Sequence, residues 1–185
     1  MNKSVPKYRF KNKESCPVSQ VSKIDPENRA FPAEPMEPSV TFKIRQATSE
    51  DLPQVIELDE KNTGLRKPFY WEDLFERFGR LEKERFFLVA EESEVFTGFI
   101  IGEIRAWEFG SPPCGWIFAL GVDPDSRTKG IGTRLFEAIC ERFQQEGIQK
   151  IRTMLARNDH LNMSFFRSQG MRGGPFIQLE KNLPK

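Results

Sequence analysis

The sequence predicts an α/β protein with one mixed, mostly antiparallel central sheet flanked by helices in a single domain. Three observations support this: short apolar segments typical of strands, helix-period segments between them, and breaks rich in Gly, Pro or polar residues. The elements follow in the order β-αα-βββ-α-β-α-β, which describes one layered domain. A chain of 185 residues with 38% hydrophobic residues can bury such a core.

Residues 1–40 differ from the rest of the chain. They contain six prolines, many charges and no sustained hydrophobic periodicity. We therefore predict an N-terminal extension over 1–40, flexible or packed as an arm on its own domain or a partner subunit. The globular domain is expected to span residues 41–185.

The first half of the domain contains three predicted strands and two predicted helices. Residues 42–46 alternate and predict a strand, and Thr48 with Asp51 resembles a capping box before a helix that starts near Leu52. A second helix is expected over 71–78. Residues 86–91 and 96–104 are separated by a short polar turn, which predicts an antiparallel pair of strands.

The second half begins with an apolar strand over 115–122 and a turn. A helix then runs from about Gly132 to Gly147, a residue suited to a helix C-cap. Residues 148–156 predict another strand, 161–168 a short helix, and 175–180 a final strand.

Composition excludes several classes of function. A net charge of +1 gives no basic excess for nucleic-acid binding, and no apolar run reaches the length of a membrane span. A single histidine and three scattered cysteines argue against a zinc site, a Ser-His-Asp triad and a disulfide framework. We therefore expect a reduced, cytoplasmic protein without a metal.

The segment Arg127-Thr-Lys-Gly130-Ile-Gly132 lies between the strand over 115–122 and the following helix. Glycines and a helix N-terminus in this order direct backbone N–H groups toward one anion, such as a diphosphate. The segment is not a Walker loop, which needs Gly-x4-Gly-Lys-Ser/Thr. It is not a dinucleotide fingerprint either, because Leu135 occupies the position that needs a small residue.

The pattern Arg-x-x-Gly-x-Gly resembles motif A of the GNAT superfamily of acetyl-CoA-dependent N-acetyltransferases. Ile44–Leu52 resembles the first strand and helix of many members, and Phe165–Met171 resembles a later family segment. The likeness covers about residues 41–180 in the family's element order. It implies a GNAT-like fold and acetyl-CoA as cosubstrate.

The resemblance also assigns residues to the cofactor. The diphosphate is expected at the backbone of the loop and helix start, namely Arg127, Thr128, Lys129, Gly130, Ile131, Gly132 and Thr133. The backbones of Leu120 and Val122 would pair with the pantetheine arm, and the Leu120 N–H would polarise the thioester carbonyl. Asn158 resembles an asparagine that contacts the arm.

The catalytic pattern departs from the family. Phe166 occupies the position of the usual tyrosine acid, and Phe118 occupies the expected position of a glutamate base. Glu103, at the end of the preceding strand, is the nearest substitute base, although an exposed structural charge fits it equally well.

Tyr70 is expected to line the acceptor pocket and Phe166 to wall its acetyl end. Without a strong acidic cluster for a polycation, the sequence slightly favours a protein or peptide amine over a small-molecule amine. The alternative is a CoA-binding module with little or no transfer activity. A monomer and a homodimer both remain open.

Overall fold

The computed structural model describes residues 42–79 and 83–184. The predicted extension over 1–40 therefore lies outside the described residues. Five strands form one sheet in the order β1-β2-β3-β4-β5. They are β1 Phe42–Gln46, β2 Arg85–Glu92, β3 Val95–Arg105, β4 Cys114–Val122 and β5 Ile151–Arg152. The first four pair antiparallel, whereas β4 and β5 pair parallel, so the prediction of a mixed, mostly antiparallel sheet is confirmed.

In the described part of the chain, four α-helices flank the sheet. They are α1 Leu52–Thr63, α2 Pro68–Phe78, α3 Ile131–Gln145 and α4 His160–Ser168. Short 3₁₀ helices occupy Ser49–Asp51, Glu108–Gly110 and Pro124–Lys129. Among the described residues, no helix combines the length and apolarity needed to cross a bilayer.

The two faces of the sheet carry separate cores. Along β2, Phe86 and Leu88 pack with α3, whereas Phe87 and Val89 pack with α1 and α2. A strand covered on both faces needs apolar residues at successive positions, which explains the unbroken run at 86–90. The sheet is thus covered on both faces by helices.

The predicted C-terminal strands differ from the structure. The strand expected over 148–156 is paired only at Ile151–Arg152, and the final strand expected over 175–180 is absent from the described sheet. Residues 176–184 are exposed, and Ile177 has 83% of its surface in solvent. The prediction of a strand at 175–180 is therefore wrong. A segment with strand propensity forms a strand only where it can pair with a neighbouring strand and pack one face against the core.

An ion-pair network fixes the start of α1 against β1. Arg45 donates to the two carboxylate oxygens of the buried Asp51 at 2.7 and 2.8 Å, and it also pairs with Glu91. Burial alone would raise the pKa of the Asp51 carboxyl. Hydrogen bonds from Arg45 and from the backbone and hydroxyl of Thr48 outweigh it and hold this pKa below its ordinary value.

Candidate active site

The site begins where β4 and β5 separate. The two strands pair only at Gly115 with Ile151 and at Trp116 with Arg152. Beyond that point, residues 117–120 of β4 and residues 153–155 line opposite parts of one cavity. The sheet therefore opens on one side of β4 while β3 still pairs with the other side.

A β-bulge at Phe118 decides which β4 backbone groups face the opening. Ile101 pairs with Ala119 and Gly102 with Ile117, so Phe118 is the extra residue. The Gly115 N–H donates toward β5, to Lys150 O at 2.9 Å. Without the bulge, alternation would direct only odd-numbered amides to that side.

Beyond the bulge the alternation is reversed. The Asp123 N–H donates to Thr97 O at 2.9 Å, toward β3. Backbone groups alternate along a strand, so the N–H groups of Leu120 and Val122 point away from β3 and into the opening. The bulge thus presents two strand amides to the site, at the positions that the resemblance assigns to the pantetheine arm.

The glycine loop lies at the far end of β4. The 3₁₀ helix Pro124–Lys129, which contains Arg127, Thr128 and Lys129, ends at Gly130. Gly130 has a left-handed φ of +76°, and a Cβ there would meet no atom within 4 Å. No side chain caps the start of α3 at Ile131. The first N–H groups of a helix have no intrahelical partner, so this end of α3 suits an anion.

Two cavities meet beside β4, where it separates from β5. The glycine-loop cleft has a volume of about 490 Å³ and is lined by Asp59, Asn62, Thr63, Phe99, Leu120, Gly121, Val122, Gly130, Gly132, Thr133, Asp159, Leu161, Asn162 and Phe165. The aromatic cavity has a volume of about 360 Å³ and is lined by Asp59, Lys67, Tyr70, Trp71, Phe99, Ile117, Phe118, Ala119, Leu120, Thr153, Met154, Leu155, Asn162 and Phe166. Both linings include Asp59, Phe99, Leu120 and Asn162, so these residues stand where the cavities join.

An ion-pair clamp holds α1 to the loop that follows β4. Lys61 Nζ lies 2.9 Å from Asp123 Oδ1 and 2.9 Å from Asp125 Oδ2. The pKa of Asp123 is lowered, first by the Lys61 hydrogen bond and then by the backbone N–H of Asp125. This surface ion pair thus links the helix that lines one side of the cleft to the loop after β4.

Asp59 is a site residue that sequence reasoning missed. The residue is only 8% exposed, and its Oδ2 accepts a hydrogen bond from Trp71 Nε1 at 2.8 Å and contacts Lys67 Nζ at 2.9 Å. In the sequence, Asp59 follows Val55 and Ile56 at helical spacing, so it places a carboxylate on the otherwise apolar face of the helix. A charge on a buried helix face needs a partner, which points to a function or a fixed ion pair.

The structure brings some predicted residues together and separates others. Tyr70 and Phe166 line the aromatic cavity, as do Phe118 and Leu120. Glu103 lines neither cavity, and its Oε1 accepts a hydrogen bond from Arg105 Nε at 2.7 Å.

Asn158 is exposed and also lies outside both linings. Its neighbours Asp159 and Asn162 line the cleft instead, and Asp159 caps α4 by accepting from the Asn162 N–H. Asn162, on α4 and four residues after the predicted position, lines both cavities.

Cys140 lies on α3, outside both linings. Burial, and then the charges of Glu137 and Glu141, raise the pKa of this thiol to about 11. A thiol with a raised pKa is mostly protonated near neutral pH, which disfavours a nucleophilic role for Cys140.

The fold of this chain is that of solved acetyltransferases. Aminoglycoside N-acetyltransferase AAC(6')-Iy, in complex with CoA, matches with a TM-score of 0.69 at 16% identity over 80% of this chain and 99% of that one. Glucosamine-6-phosphate N-acetyltransferase from Arabidopsis thaliana matches with a TM-score of 0.61 at 23% identity over 78% and 99% of the two chains. At these identities the likeness establishes the fold.

The chain belongs to the Acetyltransferase (GNAT) family, whose model matches residues 52–171, more than half of the chain. The family resemblance predicted from the sequence is confirmed. An amino-acid acetyltransferase of Ectopseudomonas mendocina (strain ymp) is 29% identical over 69% of this chain. The L-2,4-diaminobutyric acid acetyltransferase of Nocardia farcinica (strain IFM 10152) is 26% identical over 47% of it. The matched regions span 27% and 44% of those two relatives.

Proposed function

We propose that the protein is an acyltransferase that moves an acetyl group from acetyl-CoA to the primary amine of a small molecule. The observation that carries the proposal is the junction of the two cavities at Leu120, whose N–H faces the opening. One cavity then holds the donor and the other the acceptor. Membership of the GNAT family supports the same reaction.

The glycine-loop cleft fits the donor. The first amides of α3, from Ile131 to Thr133, would hold the diphosphate, and the open space at Gly130 admits its oxygens close to the backbone. The 3₁₀ helix with Arg127, Thr128 and Lys129 would flank it. The amides of Leu120 and Val122 would hold the pantetheine arm as a neighbouring strand would.

When bound, acetyl-CoA supplies an activated carbonyl. The neutral amine attacks that carbon, a C–N bond forms and the C–S bond breaks, and the proton lost by the amine balances the one gained by the CoA thiolate. Leu120 N–H would donate to the carbonyl oxygen as negative charge develops, an effect worth about 3 kcal/mol per donor. Phe118 and Phe166 offer no proton, so the chemistry relies on positioning and on a neutral acceptor.

The aromatic cavity favours a small acceptor over the protein or peptide amine that the sequence slightly favoured. About 360 Å³ matches a small metabolite, and Trp71, Phe118 and Phe166 wall it. The similar proteins are named for amino-acid, aminoglycoside and amino-sugar substrates, all small amines. A cytoplasmic location stays a prediction.

The test is release of CoA thiol when the purified chain is mixed with acetyl-CoA and a panel of small amines and lysine-containing peptides. We expect release that depends on a small amine and equals the acetylated product mole for mole. Release with peptides alone would overturn the acceptor class. Cofactor binding without release for any amine would favour the CoA-binding module.

A further inference from the structure

The aromatic cavity contains one ion pair in an otherwise uncharged lining. Among the described residues that line it, Asp59 and Lys67 are the charged ones. Lys67 Nζ lies 2.9 Å from Asp59 Oδ2 and 3.3 Å from Oδ1. The Asp59 side chain is 10% exposed and that of Lys67 is 37% exposed, so the carboxylate is largely buried, whereas the ammonium group is partly open to solvent.

Trp71 holds the carboxylate in place. Its indole N–H donates to Asp59 Oδ2 at 2.8 Å, and the ring is 2% exposed and packs edge-to-face on Phe99. Asp59 Oδ2 therefore accepts from both Trp71 Nε1 and Lys67 Nζ, whereas Oδ1 makes the longer contact with Lys67 Nζ, at 3.3 Å. A carboxylate oxygen can accept two hydrogen bonds, so Oδ1 has capacity for a donor that enters the cavity.

The pair has a direction relative to the junction. Asp59 lines both cavities, whereas Lys67 lines the aromatic cavity alone. The negative group therefore lies at the junction of the two cavities, whose lining also includes Leu120, and the positive group lies on the acceptor side. An amine held by Asp59 would be near the carbonyl, and an anionic group on the same molecule would reach Lys67.

We propose that the aromatic cavity binds an amino acid as a zwitterion, its ammonium group at Asp59 and its carboxylate at Lys67; this rests on the proposed function. A simple amine would have to displace Lys67 from Asp59 and would leave that cation unpaired. A zwitterion replaces one ion pair with two, so neither the largely buried carboxylate of Asp59 nor the ammonium of Lys67 loses its partner. The aromatic walls then select an apolar or aromatic side chain.

The ammonium must lose a proton before it attacks. Asp59 orients the ammonium, and the deprotonated fraction then reacts, the proton passing to solvent and the thiolate taking one up. Asp59 is thus a substrate-binding residue in this proposal, and the cation at Lys67 selects acceptors that carry an anion.

Calorimetry in the presence of CoA tests the binding without any turnover. The probes are L-leucine, L-methionine and L-phenylalanine, each compared with its amide, which keeps the amine but lacks the anion. We expect each favoured amino acid to bind about tenfold more tightly than its amide, the effect of one charged hydrogen bond. Lys67→Met should remove this preference and Lys67→Arg should retain it.

Arg66→Met is the matched control. Arg66 is the neighbouring cation, pairs with Glu60 at 2.7 Å and does not line the cavity, so its loss should leave the preference intact. Unfolding midpoints identify variants that fail to fold. The proposal is overturned if no amino acid binds more tightly than its amide, or if Lys67→Met weakens both alike. Absence of thiol release with every amine would instead defeat the proposed function, while the binding comparison would still decide the zwitterion site.

Discussion

Gly130→Glu tests the glycine loop as the site of the CoA diphosphate. Gly130 has a φ of +76° and open space where a Cβ would lie, so the substitution meets no steric clash. An L-residue in the left-handed region costs about 1–2 kcal/mol in stability. Gly147, at the other end of α3, has a φ of +78° and equally open space, so Gly147→Glu should carry a similar strain.

The two variants differ in what the new carboxylate meets. At Gly130 it enters the glycine-loop cleft, where a diphosphate charge about 6 Å away would repel it by about 3 kcal/mol at an effective dielectric constant of ~20. That repulsion corresponds to a loss of about 100-fold in affinity for CoA. At Gly147 it faces solvent, beyond the cleft. Gly130→Gln supplies the uncharged counterpart of the same size.

The assay is titration of CoA by calorimetry, with urea unfolding of each variant. We expect Gly130→Glu to lose most of its CoA affinity, Gly130→Gln to lose much less, and Gly147→Glu to bind as the unaltered chain does. If Gly130→Glu bound CoA as tightly as Gly147→Glu, the diphosphate would lie elsewhere and the loop assignment would be wrong.

Three further predictions concern single carboxyl and thiol groups. Glu103→Gln should leave the pH–rate profile unchanged, because the carboxylate of Glu103 is hydrogen-bonded to Arg105 and lines neither cavity. If a pKa disappeared from the profile of this variant, Glu103 would be the catalytic base. Asp51→Asn should cost about 2–3 kcal/mol in urea unfolding at pH 7, because it breaks a buried ion pair. The pKa of the Asp51 carboxyl is lowered in the folded state, so its contribution to the free energy of unfolding is full above about pH 4 and is lost as the pH falls through the folded pKa. If the difference in unfolding free energy between the unaltered chain and Asp51→Asn stayed constant down to about pH 3, this prediction would be wrong. Cys140, with its pKa raised to about 11, should react more slowly with iodoacetamide at pH 8 in the folded protein than after denaturation, as measured by peptide mass spectrometry. Equal rates would contradict the raised pKa.

Much of the donor side could be predicted from the sequence. The apolar strand, the glycine loop and the helix after it are local features, each set by residues adjacent in the chain. Gly130 and Gly132 occur where a positive φ and a close approach require them: a Cβ at Gly132 would lie 3.1 Å from Phe165. Family membership followed from the same local pattern.

The acceptor side could not be predicted in the same way. The bulge at Phe118 depends on how β3 and β4 pair, and Asp59 becomes a site residue only through Trp71 and Lys67 on another helix and its leading loop. Such contacts are set by tertiary packing, which the hydrophobic periodicity of the sequence does not predict. Residues 175–180 show that a local pattern can also mislead. Their sequence predicts a strand, but they pair with no strand among the described residues.

Both proposals depend on the orientation of the Leu120 amide, because they place the reaction where its N–H points. A crystal structure of the chain with acetyl-CoA tests it directly. We predict the thioester carbonyl oxygen within hydrogen-bond distance of Leu120 N, and the diphosphate on the amides of residues 131–133. A thioester outside the junction of the two cavities would show that the Leu120 amide does not act on the carbonyl, and a diphosphate away from the start of α3 would show that the glycine loop does not bind it.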